Sequence, residues 1–332
     1  MTKKDESFVL EAAPEYVLGF DVGGTRIKVG AVGPKGKLLE ERIIPTGAGA
    51  GPKRLLETLI WVARAVEKTV GGPPLAVGLG LPGAIQPELG IVLLPGRLQG
   101  LENFPIVPRL KKTLGVPVIA DNDARLAMIA EKEFGQARGK KWALTVTLGT
   151  GVGSGVMLDG RILRDDHLQF GTQASHMVIQ AAGGRLCLTG ARGTAEMLCS
   201  ATALAQQVRD GLARGIPSSL SGLYSGDPGA IDFAAVIQAA GRGDRLCRDE
   251  LNVWIGNLGW FLVSAVHAYA PEVVILSGGA THAWKHFLKP LRAHVDRYVY
   301  RWPVGDSVPI VISKMKDHAG VLGAAAQAWL LT

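Results

Sequence analysis

Hydrophobic positions fall into two kinds of run along this chain. Tyr16-Val17-Leu18-Gly19-Phe20-Asp21 is a short, nearly continuous apolar run, the pattern of a buried strand. Gly23-Gly24 makes a tight turn, Ile27 to Val32 returns as a second strand, and Lys37 to Ile44 supplies a third. Between residues 52 and 70 the apolar positions Leu55, Leu56, Leu59, Ile60, Val62, Ala63 and Val66 recur at the three- and four-residue spacing of one helix face. Strands are expected at 75–80, ending in Leu81-Pro82-Gly83, and at 116–120, with a helix over 124–134.

The second half opens in the same way. A strand at 143–148, a glycine turn at 149–153 and a returning strand at 154–158 repeat the opening motif. Helices are expected at 194–213 and 251–270, a strand at 273–276, and a helix opened by Gly278-Gly279. A strand at 308–312 and a final helix at 321–331 complete the plan. The longest apolar stretch, Leu258 to Leu276, is interrupted by His267 and Pro271, so it reads as a buried helix and a strand rather than a membrane span. The class is α/β. The strand–glycine turn–strand motif at the head of each half is a weak internal repeat that predicts two similar lobes.

Composition narrows the picture. A length of 332 residues suits about two domains and a core that needs neither disulfides nor metals. With 47% hydrophobic and 20% charged residues, wholesale disorder is excluded. The 44 glycines are about twice the usual share; without a Gly-X-Y period they belong in turns and close backbone approaches. Three cysteines, Cys187, Cys199 and Cys247, make no disulfide framework and point to a reducing cytoplasm. Met1 to Glu6 lack the apolar run of a signal peptide, and residues 1–15 read as a flexible tail. The net charge of +7 is scattered rather than clustered, which reads as a solvated surface, with no nucleic-acid partner and no membrane expected.

Four glycine-bearing elements carry the candidate chemistry: Asp21-Val22-Gly23-Gly24-Thr25, Gly149-Thr150-Gly151-Val152-Gly153, Ser277-Gly278-Gly279-Ala280, and Gly320 with Gly323. A glycine turn lets backbone N–H groups face an anion, and Thr hydroxyls add donors. One strand-flanked turn per half, with a glycine pair opening a helix, predicts a nucleotide held between lobes. Asp21 is either a Mg²⁺ organiser acting through water or a cap on its own turn. Ala120-Asp121-Asn122-Asp123-Ala124-Arg125 stands where a strand gives way to a helix, the usual ligand position of α/β sheets. An Asp there could accept a hydroxyl proton during phosphoryl transfer; the other reading of the segment is ordinary helix capping by Asn122 or Asp123.

Taken together and in this order, these elements, with Gly80-Leu81-Pro82-Gly83, Asn122-Asp123-Ala124 and Gly320-Val321-Leu322-Gly323-Ala324, resemble the ROK family of bacterial sugar kinases and sugar-responsive repressors from about residue 16 onward. The resemblance implies the two-lobed actin-like ATPase (ribonuclease H-like) fold with a central cleft, its small lobe at 16–123 plus 315–332 and its large lobe at 124–314. It implies a cytoplasmic, glucokinase-like kinase using ATP and Mg²⁺, with a homodimer as one assembly it could form. Asp123 would be the base, and Asn122, Gln173, His176 and Glu196 would hold the sugar. Gly23, Gly24, Thr25, Gly149, Thr150 and Gly151 would cradle phosphates, with Asp21 toward Mg²⁺. Gly278, Gly279 and Ala280 would let adenosine pack.

Departures from the family pattern carry their own expectations. The family's zinc segment reads His, then about ten residues on Cys-x-Cys-Gly-x-x-Gly-Cys-x-Glu; here it is His176, then Cys187-Leu188-Thr189-Gly190-Ala191-Arg192-Gly193-Thr194-Ala195-Glu196. Neutral Thr hydroxyls are poor zinc ligands, so no structural zinc is expected and Cys187 reads as a buried thiol. The family's Gly-Glu-x-Gly-His reads Thr172-Gln173-Ala174-Ser175-His176, an amide in place of a carboxylate. Arg97 stands near where the family has a sugar-contacting Asn. It either favours an anionic sugar or points to solvent or pairs with Glu102 or Glu196. The family's repressors carry an N-terminal helix-turn-helix, for which about 15 residues are too few. A non-catalytic sugar sensor is the other reading of the drifted pocket.

Overall fold

The computed structural model describes residues 14–86, 89–94, 98, 100–164, 173–300 and 305–332. The chain forms two compact units. One runs to Asp121 and takes back Ala324–Thr332; the other is Asn122–Gly323.

The first unit is built on β1 (Val17–Val22), β2 (Arg26–Val32), β3 (Leu38–Pro45), α1 (Gly51–Val70), β4 (Val77–Leu81), β5 (Ala84–Gln86), β6 (Ile91–Leu94), α2 (Ile106–Leu114) and β7 (Val118–Asn122). Its five-stranded sheet has the order β3-β2-β1-β4-β7. β1 pairs antiparallel with β2 and parallel with β4. Tyr16, Leu18, Phe20 and Val22 of the β1 segment are buried with Ile27 and Val29 of β2. The predicted face of α1 is the one that packs: Leu55, Leu59, Val62, Ala63 and Val66 are buried. α1 stops at Gly71, whose φ of 97° and N–H to the Glu67 carbonyl close the helix in a left-handed cap. The Tyr16 hydroxyl donates to the Gly72 carbonyl at 2.6 Å. Burial, with the Glu67 carboxylate second, pushes that phenol up to about 12. The β5–β6 hairpin and α2 were not expected. The hairpin strands are three and four residues long, too short for a periodic signal. α2 holds Pro108 in its first turn, where proline is tolerated.

The second unit holds α3 (Asp123–Phe134), β8 (Ala143–Leu148), β9 (Val152–Leu158), β10 (Arg161–Ile162), α4 (Ala195–Cys199), α5 (Ala201–Ala213), α6 (Ser221–Gly226), α7 (Phe233–Gly241), α8 (Arg245–Tyr269), β11 (Val273–Ser277), α9 (Trp284–Tyr298) and β12 (Ile310–Ile312); α10 (Ala319–Trp329) runs through the second junction. Its sheet order is β10-β9-β8-β11-β12. β8 is antiparallel to β9 and parallel to β11, so each unit sets a three-stranded antiparallel meander against a parallel strand. The repeat seen in sequence is therefore a repeat of sheet topology.

Two expectations in this unit change. The continuous helix over 194–213 is broken at Ser200, which is extended at φ −70°, ψ 159° and accepts the Ala203 N–H on its hydroxyl. Trp254, fully buried on α8, donates its indole N–H to the Ser200 carbonyl at 3.1 Å, so the break is held from 54 residues away. The helix opened by Gly278-Gly279 is a 3₁₀ turn over Gly279–Ala283, and α9 follows from Trp284. Trp254 also sits edge-on to Phe233 and Phe287, with ring centres 5.7 and 5.5 Å apart, a favoured aromatic geometry. Leu258–Leu276 divides into the end of α8 and β11 as expected. Among the described residues no helix is long and apolar enough to cross a membrane.

Candidate functional site

In the first unit the candidate residues lie at the β1–β2 turn. Asp21 is half-buried near the end of β1, in register with Lys28 on β2 and Gly80 on β4. Gly23 donates its N–H to the Arg26 carbonyl at 2.9 Å, leaving Gly24 and Thr25 to form the tip. Thr46, at the end of β3, braces this tip twice. Its hydroxyl donates to the Gly23 carbonyl at 2.6 Å, and its N–H donates to the Thr25 carbonyl at 3.0 Å. Thr46 was not among the predicted site residues; its role comes from β2–β3 register, which no local motif announces.

The second unit gathers more. Asn122 and Asp123 open α3. The Asn122 side-chain oxygen accepts the N–H groups of Ala124 (3.0 Å) and Arg125 (3.2 Å), so Asn122 is the helix cap. Asp123 is exposed, with Oδ1 accepting the Ala124 N–H at 2.8 Å. The start of α3 lies on the β8–β9 turn: the Ala124 Cβ is 2.7 Å from where a Cβ on Gly153 would stand. The turn is closed by Gly149 N–H to the Gly151 carbonyl at 3.0 Å, and Ala201 N–H to the Gly149 carbonyl at 2.9 Å anchors it to α5.

Gly278 meets the same turn. Its φ of 89° and ψ of 169° belong to a region open essentially to glycine alone. A Cβ there would stand 2.5 Å from the Leu148 carbonyl oxygen. The glycine turn at 149–153 and the Gly278-Gly279-Ala280 segment are thus neighbours. Gln173 precedes and His176 ends a 3₁₀ turn over Ala174–His176. That turn is tied to β9 by Ala174 N–H to the Ser154 hydroxyl at 3.1 Å. Glu196, on α4, reaches that glycine turn: its Oε2 accepts the Val152 N–H at 3.3 Å. Of the predicted residues only Arg97 lies outside the described residues.

A family model described as the ROK family matches residues 17–329. The chain belongs to the ROK family. It is 33% identical to a glucokinase of Thermotoga maritima over 319 residues, covering 93% of this chain and 96% of that protein. Among solved structures, a ROK hexokinase from Thermus thermophilus superposes with a TM-score of 0.77 at 29% identity, covering 95% of this chain and 98% of that one. A ROK family glucokinase from Streptomyces griseus, solved with glucose and AMPPNP, gives a TM-score of 0.82 at 24% identity, covering 95% and 99%, a likeness of fold. The fold is that of the actin-like ATPases.

Against the ROK pattern, the zinc segment has become a hydrogen-bonded loop. Cys187 is buried, with Sγ 3.5 Å from His176 Nδ1. Thr189 is exposed, its hydroxyl accepting the Ala191 N–H at 3.4 Å. The Thr194 hydroxyl is fully buried and makes no hydrogen bond. One imidazole, one thiol and two neutral hydroxyls do not fit zinc. Among the described residues no three His, Cys, Asp or Glu stand together as a metal group. The loop is held instead by Cys187 N–H to Ala191, Gly193 N–H to Arg185 and Ala195 N–H to Met177 carbonyls, at 2.7, 3.2 and 2.9 Å.

Proposed function

We propose that this ROK family member is an ATP-dependent sugar kinase that moves the γ-phosphate of ATP to a hexose hydroxyl, with Asp123 as general base. The observation that carries this reading is the meeting, within one unit, of the α3 start with the glycine turn at 149–153. It puts a solvent-accessible carboxylate one residue from a side chain that packs on the candidate phosphate turn.

Phosphoryl transfer asks the protein mainly for positioning and for charge stabilisation. Asn122, Gln173, His176 and Glu196 are the side chains assigned to the sugar. Gln173 has both a donor and an acceptor for hydroxyls. As the sugar oxygen forms its bond to phosphorus, its proton passes to an Asp123 carboxylate oxygen, and ADP leaves with the electrons of the broken P–O bond. The N–H groups at Gly24, Thr25, Thr150 and Gly151 are the ones assigned to phosphate oxygens, while Gly23 and Gly149 shape those turns through N–H groups already given to the Arg26 and Gly151 carbonyls. Gly278, Gly279 and Ala280 present little side chain to the adenosine. Asp21, a half-buried oxygen donor beside the first turn, fits Mg²⁺ held through water, an ion that neutralises phosphate charge when bound. No zinc is assigned. A reducing cytoplasm agrees with three free, buried cysteines.

The test is ADP release with a panel of hexoses that includes a carboxylated sugar, run beside Asp123→Asn. Release that depends on a neutral hexose, and collapses in the variant, supports the reading. Sugar binding without release favours a sensor. Release with the carboxylated sugar alone moves the acceptor to the anionic class.

A further inference from the structure

The β8–β9 turn is not waiting with bare N–H groups. Glu196 Oε2 accepts the Val152 N–H at 3.3 Å and lies 2.7 Å from where a Cβ on Gly151 would stand, so a carboxylate rests directly on the glycine backbone. A larger residue at 151 would push it away. The position is set from both sides. Ala195 N–H to the Met177 carbonyl joins α4 to the segment that carries Gln173 and His176, and Ala201 N–H to the Gly149 carbonyl joins α5 to the turn. One side chain therefore bridges the stretch assigned to the sugar and the stretch assigned to phosphate.

We propose that Glu196 occupies the phosphate turn in place of a phosphate until a sugar takes its carboxylate, and so couples acceptor binding to nucleotide binding. The proposal rests on the kinase reading above. Two anions cannot share these N–H groups without repulsion. A sugar hydroxyl that donates to the Glu196 carboxylate competes with the Val152 N–H, and whatever draws the carboxylate off the turn leaves that N–H for a phosphate oxygen. Linkage makes the effect reciprocal: the sugar tightens nucleotide by the same factor by which nucleotide tightens sugar. The enzyme then holds ATP loosely while water is the only acceptor, and tightly once the sugar is bound. Glu196 acts here as a positioning residue for the turn as well as a sugar ligand.

The measurement is the Kd of a non-hydrolysable ATP analogue with Mg²⁺, by titration calorimetry, with and without saturating hexose. It is made on wild type, Glu196→Gln and Glu196→Ala, each checked by thermal melting. Glu196→Gln keeps an oxygen that can accept the Val152 N–H but carries no charge, which separates repulsion from loss of a contact. In wild type the hexose should tighten the analogue about fivefold or more, the low end of ordinary coupling. Without sugar, Glu196→Gln should bind the analogue about fivefold tighter than wild type, and Glu196→Ala should follow it. Added hexose should then improve either variant less than about twofold. Sugar-free analogue binding that is unchanged or weaker in the uncharged variants overturns the proposal, as does a wild type whose analogue affinity ignores the hexose. If wild type releases ADP normally in either of those cases, the kinase reading stands alone. A wild type that neither binds the analogue nor releases ADP sinks both. The wild-type arm decides even where a variant does not fold.

Discussion

Replacing Gly278 by alanine should damage the second unit and the nucleotide site together. The backbone at 278, φ 89° and ψ 169°, costs a non-glycine residue about 1–3 kcal/mol. The new Cβ would also stand 2.5 Å from the Leu148 carbonyl oxygen, and backbone at the end of β8 cannot swing aside as a flexible side chain would. Relieving that clash must move β11 away from β8, adding about 1–3 kcal/mol of the kind seen on overpacking. For a unit of about 200 residues, a total of about 2–6 kcal/mol lowers the melting temperature by about 4–24 °C. Gly279→Ala is the control. A Cβ at 279 meets nothing within 4 Å, and its φ is not in the left-handed range, so its melting temperature should stay within about 2 °C of wild type by the usual small effect of surface changes. If the segment faces adenosine, Gly279→Ala should still raise the KM for ATP while leaving the KM for sugar alone. Differential scanning calorimetry and steady-state kinetics read both. A Gly278→Ala protein that melts with wild type and keeps its KM for ATP would refute the packing argument.

Elemental analysis of the purified protein should find no stoichiometric zinc, and chelator should leave its melting temperature unchanged, because Thr189 and Thr194 cannot complete a tetrahedral site; one tightly held zinc per chain contradicts this. Asp244 caps α8, accepting from the N–H groups of Cys247 and Ser219 and from the hydroxyls of Ser218 and Ser219. Burial pushes its carboxyl up, but those donors outweigh burial and hold it well below the usual range. Its contribution is therefore present above the unfolded value near 3.9 and is lost as pH falls toward the folded one. Asp244→Ala should cost about 1–3 kcal/mol at pH 7, and its stability should fall less than that of wild type in urea melts taken from pH 5 to pH 2; parallel curves count against the cap.

Much of the fold is legible in the residues themselves. Ile27 to Val32 and the stripe of α1 have the periods of strand and helix, and His267 with Pro271 mark the helix–strand division at 258–276. The loss of two zinc-site cysteines is equally plain in the chain. What escapes is whatever a distant residue decides. Ser200 reads as one more position in an amphipathic helix until the Trp254 indole fixes its carbonyl. Asn122 reads equally as ligand or cap, and only the bonds to Ala124 and Arg125 assign its oxygen to the cap. Glu196 is recognisable as a sugar-type carboxylate, but its reach to Val152 crosses 44 positions and follows from how α4 is hung between Met177 and the glycine turn. Gly278 is conspicuous as a glycine, yet its reason, the Leu148 carbonyl, is set by the parallel pairing of β8 with β11.

The central claim is that Asp123 takes the proton from a bound hexose while ATP supplies the phosphoryl group. The most direct measurement is coupled ADP release from wild type and Asp123→Asn across glucose and other hexoses, with sugar affinity measured separately by calorimetry. The account predicts hexose-dependent ADP release by wild type and a loss of about 10²–10⁴-fold in kcat for the variant, the ordinary worth of a general base. Sugar affinity should stay within a few-fold, since the amide keeps its hydrogen-bonding capacity. Near wild-type turnover in Asp123→Asn, or tight hexose binding by wild type with no ADP released, would contradict it.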